Sequence, residues 1–303
     1  MKPDRSLAAA LREGALVLDG GLSNQLEAQG CDLSDALWSA RLLADAPEQI
    51  EAAHAAYVRA GAQVLITSSY QATFEGFARR GVARAETARL LLRSVELARA
   101  AGERTEREIW VAASVGPYGA MLADGSEYRG RYGMSVAELE RFHRPRIEVL
   151  AESGADVLAL ETVPDAYEAE ALLRAAGRSG AVPVWLSYTV DGAHTRAGQR
   201  LEDAFGLVAG LDQVVAVGVN CCDPADAGHA AEVAAAVSGK PVVVYPNSGE
   251  RWDAGTRRWH GGTTFAPATT AGWRASGARL IGGCCRVGPD TVAALAASVS
   301  GHP

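Results

Sequence analysis

A (β/α)8 barrel is the fold class this sequence predicts, and three observations predict it. Eight short apolar runs alternate with helical stretches along the 303 residues. The runs are continuously apolar, as strands buried on both faces should be. No Gly-x-Gly-x-x-Gly follows any run, which leaves a doubly wound open sheet without its usual marker. A chain of this length buries a large core, and we expect residues 1–303 to form a single barrel domain.

Residues 3–13 read as a short lead helix, with Leu7 and Leu11 four apart. The first run, Ala15 to Leu18, ends in Asp19-Gly20-Gly21 and precedes a helix from about Pro47, a residue suited to a first helical position. Val64 to Gln71 is the second run, followed by an Arg- and Glu-decorated helix over 82–101. Ile109 to Gly116 and a helix at 135–153 come third, and Val157 to Thr162 with a helix at 166–177 fourth. The fifth run is Val182 to Val190 (helix 200–210) and the sixth Val214 to Asn220 (helix 224–238). Pro241 to Tyr245 (helix 265–276) and Ala278 to Gly283 (helix 288–300) complete the set. Two connections, 116–134 after run three and 246–264 after run seven, are long. Both leave the strand ends where barrel active sites are built, so we expect them to cover or bind.

Charged residues make up 21% and the net charge is −7, which supplies no basic field for nucleic acid or anionic lipid. The apolar runs all fall short of the roughly 20 residues a membrane span needs. The first residues lack a signal-peptide core, which favours the cytoplasm, where thiols stay reduced. Five cysteines do not make a disulfide framework; clustered cysteines in a reducing compartment read as metal ligands or catalytic groups.

Four of the five cysteines fall in adjacent pairs at the ends of two runs, Cys221-Cys222 and Cys284-Cys285, while Cys31 stands alone. Neighbouring side chains of a strand point to opposite faces, so one pair can serve one site only where the chain turns; Gly282 and Gly283 are expected to permit that turn. The separation of 63 positions from Cys221 to Cys284 fits no zinc-finger spacing, but barrel strand ends converge. Three thiolates suit zinc with a fourth position open, and the sequence offers Cys221, Cys284 and Cys285, with Cys222 an ambiguous neighbour. Such a centre carries a formal charge of about −1 and is suited to holding a fourth thiol as thiolate. Asp19 and Glu161, at two further run ends, offer carboxylates for an ammonium group. Free N–H groups of Gly20 and Gly21 offer a seat for a carboxylate anion. Together these describe a thiol-bearing α-amino acid.

The chain resembles the homocysteine S-methyltransferases, and most closely the branch that uses S-methylmethionine or S-adenosylmethionine. The resemblance runs from about Val17 to Leu295. It rests on Leu18-Asp19-Gly20-Gly21, Leu37-Trp38-Ser39-Ala40, Ser69-Tyr70-Gln71-Ala72-Thr73, Ser114 to Gly119, and Asp124 to Gly130. Glu161-Thr162, Gly218-Val219-Asn220-Cys221, Tyr245 to Glu250, and Gly282 to Arg286 extend it. The resemblance implies Zn2+ on Cys221, Cys284 and Cys285, with Cys222 outside the ligand set. It also implies an amino-acid site at Asp19, Gly20, Gly21 and Glu161, with Gln71 among the substrate contacts. Trp38 falls near a wall of the methyl-donor pocket, where its face would attract a sulfonium; Tyr70, Tyr118 and Tyr128 are further candidates. The activity implied is methyl transfer from a sulfonium to homocysteine, giving methionine, with small-molecule partners only. Betaine as donor, and a non-catalytic zinc or thiol redox barrel, are the competing readings.

Overall fold

Alternate side chains of a strand in a closed parallel barrel point inward and outward, and that parity explains where each residue of this chain is spent. The computed structural model describes residues 3–34, 39–253 and 258–300. Its barrel strands are β1 (Leu16–Val17), β2 (Val64–Ile66), β3 (Trp110–Val115), β4 (Val157–Val163), β5 (Val184–Tyr188), β6 (Val214–Asn220), β7 (Val242–Tyr245) and β8 (Ala278–Ile281). They pair in parallel in the order β1-β8-β7-β6-β5-β4-β3-β2. A parallel bridge between Leu18 and Val64 closes the ring, with the Asp19 N–H donating to the Val64 carbonyl at 3.0 Å. The predicted (β/α)8 barrel is the observed fold.

The returning helices are α1 (Pro47–Arg59), α2 (Arg84–Gly102), α3 (Val136–Glu152), α4 (Ala166–Arg178), α5 (Leu201–Gly206), α6 (Pro224–Ser238), α7 (Thr270–Ala275) and α8 (Pro289–Ser300). Pro47 occupies the first turn of α1, and Ser135 with Glu138 forms a complete capping box on α3. Helices α5 and α7 are shorter than predicted; a 3-10 turn over Pro267–Thr269 takes the first part of the latter.

Outward residues such as Val111, Leu158, Leu160, Leu186 and Val217 pack against the helices in one large cluster. Inward residues, among them Leu16, Val64, Trp110, Ala112, Val157, Ala159, Trp185, Ala216, Val243 and Leu280, fill the barrel. Leu7, Ala10 and Leu11 of the lead helix Leu7–Glu13 belong to this inner cluster and plug the end opposite the mouth. The connections after β3 and β7 are long, as predicted, and carry a short helix at Tyr118–Leu122 and a hairpin of Arg251–Asp253 with Arg258–His260. The connection 18–46 is also long; its helices Leu22–Ala28 and Ser39–Asp45 left no apolar run to mark them.

Candidate metal centre and substrate site

Strand β6 ends at Asn220, and Cys221 then takes a left-handed conformation, φ 50°. That conformation costs a non-glycine residue about 1–2 kcal/mol, so something must hold it. Its N–H donates to the Tyr245 carbonyl at 3.3 Å and its carbonyl accepts from Thr189 Oγ1 at 3.1 Å. The turn swings Cys221 to the mouth and sends Cys222 into the outer core, where burial pushes its thiol up to about 12. Beyond β8, the Cys284 N–H donates to the Pro246 carbonyl at 2.8 Å and the Cys285 N–H to Asn247 Oδ1 at 3.1 Å. The left-handed residue here is Arg286, φ 66°, not either glycine. Gly282 is needed for close approach instead: a Cβ there would lie 2.5 Å from Leu18 Cβ and 2.8 Å from the Asp19 carbonyl oxygen.

The sulfurs of Cys221, Cys284 and Cys285 come within 4.8 Å of one another. The sulfurs of Cys221 and Cys284 are in contact, with Cα atoms 5.6 Å apart. Sulfurs aimed at a shared ligand are also close enough to pair on oxidation. Reduced, the set is three soft donors from two strand ends, and it fits a thiophilic metal ion. Burial pushes the Cys285 thiol up to about 11, with the Tyr128 hydroxyl acting in the opposite direction.

Two carboxylates share this mouth. Asp19 is buried, and its Oδ2 accepts from the Ile66 N–H at 2.9 Å. Burial first, and then the charge of Glu161, hold its carboxyl well above the ordinary range. Glu161 is also buried; its Oε1 accepts from Ser114 Oγ and its Oε2 from the Tyr245 hydroxyl at 2.9 Å. Burial outweighs both hydrogen bonds and pushes Glu161 up to about 7. Among the described residues neither acid has an ion-pair partner. Buried acids that share a mouth without a cation carry an uncompensated cost that a bound cation would relieve.

The glycines after Asp19 divide. Gly21 donates its N–H to the Val287 carbonyl at 2.9 Å, so that group is not free for a ligand, contrary to expectation. The Gly20 N–H has no partner among the described residues. A Cβ on Gly21 would lie 2.7 Å from the Cys284 carbonyl oxygen, so this glycine lets the acid loop and the thiol turn touch. Gln71 is buried, and its Nε2 donates to the Ala120 carbonyl at 2.9 Å, tethering the loop after β3. Trp38 lies outside the described residues.

The family model for homocysteine S-methyltransferase matches residues 16–299. The chain belongs to the homocysteine S-methyltransferase family. It is 47% identical to the homocysteine S-methyltransferase of Escherichia coli (strain K12), over 98% of this chain and 99% of that one. It is 43% identical to homocysteine S-methyltransferase YbgG of Bacillus subtilis (strain 168), over 93% of each. Among solved structures it is similar to the homocysteine methyltransferase MmuM from Escherichia coli in its metallated form, with TM-score 0.84, 45% identity and coverage of 96% of this chain and 98% of that one. The oxidized form of the same protein gives TM-score 0.82 and 46% identity, covering 93% and 95%. The chain is therefore a methyltransferase by family, and its three-cysteine cluster is a metal-site arrangement.

Sequence reasoning missed the polar layer beneath this mouth. Tyr245 Oη lies 2.9 Å from Ser187 Oγ, which donates to Asn220 Oδ1 at 2.8 Å. Asn220 Oδ1 also accepts from the Thr162 N–H at 2.7 Å, and its Nδ2 donates to Thr162 Oγ1 at 2.6 Å. Thr162 is itself left-handed, φ 57°, a strained state for a β-branched residue that the Asn220 clamp holds. A signal existed: Ser114, Glu161, Ser187, Asn220 and Tyr245 continue the inward parity of Ala112, Ala159, Trp185, Ala216 and Val243. Polar residues at that parity line the top of the barrel.

Proposed function

We propose that this protein transfers a methyl group from a sulfonium donor, S-methylmethionine or S-adenosylmethionine, to the sulfur of L-homocysteine, giving methionine. One observation carries the reading: a convergent trio of thiols stands beside two buried carboxylates that lack a cation, near enough for the Glu161 charge to act on Cys285. Thiol chemistry and ammonium recognition then meet in one substrate. The whole chain, 1–303, acts as a single homocysteine-binding domain. Cys221, Cys284 and Cys285 would hold zinc, which when bound keeps a substrate thiol ionised at neutral pH.

Asp19 and Glu161 take the homocysteine ammonium, and the Gly20 N–H is positioned for its carboxylate. Ser114 and Tyr245 orient Glu161 so that it meets the ligand without rearranging. Gln71 and Trp38 contribute to the substrate pocket. The homocysteine sulfur, having lost its proton, attacks the donor methyl in line. A carbon–sulfur bond forms, the donor's carbon–sulfur bond breaks, and its electron pair leaves the donor as a neutral thioether. The barrel's contribution is mainly positioning, worth several kcal/mol in general. The partners are small molecules, with no nucleic acid or membrane, and the setting is the cytoplasm. Among the described residues no helix is long and apolar enough to cross a membrane.

Methionine formation from homocysteine with each sulfonium in turn, beside metal analysis of the purified protein, tests this. Turnover with zinc bound is expected; a metal-free protein with full activity overturns the zinc assignment. The contact between the Cys221 and Cys284 sulfurs favours a second reading, a thiol switch without turnover. Methyl transfer by the reduced, zinc-loaded protein excludes it.

A further inference from the structure

We propose that Glu127 is a specificity-determining residue that recognises the positive charge of the methyl donor, a role that rests on the sulfonium-transfer reading above. Glu127 lies in the connection after β3, in the 3-10 turn Ser126–Tyr128. Its backbone is fixed: the Tyr128 N–H donates to the Gly125 carbonyl at 3.1 Å, and a Cβ on Gly119 would sit 2.8 Å from Glu127 Cα. The residue is only 6% exposed, and its Oε2 is buried without a hydrogen-bond partner among the described residues. No arginine or lysine of the described residues pairs with it. A carboxylate oxygen held this way is costly unless a ligand completes it.

Its surroundings point to the ligand. The charge of Glu127 acts on Tyr70, Tyr128 and Cys285, so it lies close to the thiol cluster on the loop side. The homocysteine ammonium is already provided for by Asp19 and Glu161. A methyl donor must bring its cationic sulfur close to the homocysteine sulfur, and hence beside Cys285. Tyr70 and Tyr128 supply aromatic faces there, and the Tyr128 ring already draws a cation, the Arg196 guanidinium 6.0 Å from its centroid. A neutral product no longer meets Glu127 as a counter-charge, which favours its release.

The charge on the donor sulfur disperses as its bond to the methyl breaks. The Glu127 contact is therefore no stronger in the transition state than in the bound donor, and its loss should raise KM for the donor while leaving kcat nearly unchanged. S-Methylmethionine and methionine differ by one methyl and one positive charge, so their relative affinities isolate the effect. With the zinc-loaded full chain, calorimetry should find that Glu127→Gln weakens S-methylmethionine binding roughly tenfold or more, with methionine binding unaltered. Donor KM should rise in step, with homocysteine KM and zinc content unchanged. Glu127→Asp, which keeps the charge, should retain most of the preference. Tyr128→Leu, at a residue 38% exposed, should reduce it several-fold and gives a second test should Glu127→Gln fold poorly. An unchanged preference in Glu127→Gln, in a parent protein that makes methionine, overturns this role and leaves the methyl-transfer reading standing. Donor and homocysteine KM values rising together would make Glu127 structural and also overturn it. A parent protein that accepts neither sulfonium overturns both.

Discussion

The Tyr245 hydroxyl on β7 donates to Glu161 Oε2 on β4 at 2.9 Å, a contact made across the barrel interior between residues 84 apart in sequence. It fixes the orientation of the acid expected to bind the amino group and competes with the burial that would protonate it. Hydrogen bonds to charged groups contribute about 1.5–3 kcal/mol. Tyr245→Phe should therefore raise homocysteine KM about tenfold or more, with little change in donor KM. Steady-state kinetics with each substrate varied in turn checks this.

Glu161 also sets a pH dependence. Its carboxyl is raised from the ordinary 4.5 to about 7 by burial, and it must ionise to hold an ammonium group. The kcat/KM for homocysteine should rise with pH and level off above about 7, falling roughly tenfold per unit below that. Stability runs the other way. A carboxyl whose folded pKa is raised binds its proton more tightly in the folded state, so stability is fullest below 4.5 and falls as pH climbs to about 7. The loss from this group is on the order of 3 kcal/mol in the ligand-free protein, and homocysteine should restore part of it. Denaturant titrations across pH 5–8, with and without homocysteine, read both signs. Tyr245→Phe should move the kinetic inflection upward, because the ionised form loses a donor.

Most strands were legible because apolar runs are what a doubly covered parallel strand requires. The choice between Cys221 and Cys222 was not legible from the residues themselves. Inward parity at Ala216 and Asn220 would turn Cys222 to the mouth; the left-handed Cys221 reverses that, and no glycine announces it. The resemblance to the family assigned Cys221 where the residue pattern left the pair open. Gly282 and Gly283 were visible but for a different reason, since they make room for Leu18 and Val287 and do not turn the chain. Long-range hydrogen bonds, such as Asn220 to Thr162, have no local signature at all.

The same holds for the buried charges behind the loop after β3. Arg146 on α3 donates to the Gly116 carbonyl and to His143 Nδ1 at 2.6 Å, and His143 Nε2 lies 2.9 Å from Glu168 Oε1 on α4. The Tyr118 N–H donates to that same oxygen at 2.6 Å, so Glu168 anchors the start of the loop that carries Glu127. Burial holds His143 well below its ordinary value, consistent with a neutral ring that accepts from Arg146 and donates to Glu168. Glu168→Ala leaves the Tyr118 N–H and His143 Nε2 buried without their acceptor and should destabilise the fold by about 2–5 kcal/mol. A lowered denaturation midpoint, with faster proteolysis within 116–134, is the expected outcome; an unchanged midpoint would show that the pairing is dispensable.

The adjacent cysteines give the sharpest contrast, because geometry assigns neighbours opposite fates. Cys222 packs among apolar side chains outside the barrel, and truncating it removes one buried sulfur from a core. Cys222→Ala should cost about 1–2 kcal/mol of stability and leave metal content and turnover intact. Cys221→Ala, Cys284→Ala and Cys285→Ala each take one sulfur from the convergent trio. Two thiolates do not make a zinc site of the ordinary kind, so zinc should fall from one equivalent to a small fraction, and activity with it. Oxidation offers an independent check on the same geometry. A mild oxidant should link Cys221 to Cys284, the pair whose sulfurs are in contact, and expel zinc while leaving Cys285 open to a thiol reagent. Chelation of the reduced enzyme should abolish turnover, and added zinc should restore it without refolding. Retention of zinc by Cys221→Ala together with its loss from Cys222→Ala would mean that the left-handed turn after β6 has been assigned to the wrong neighbour.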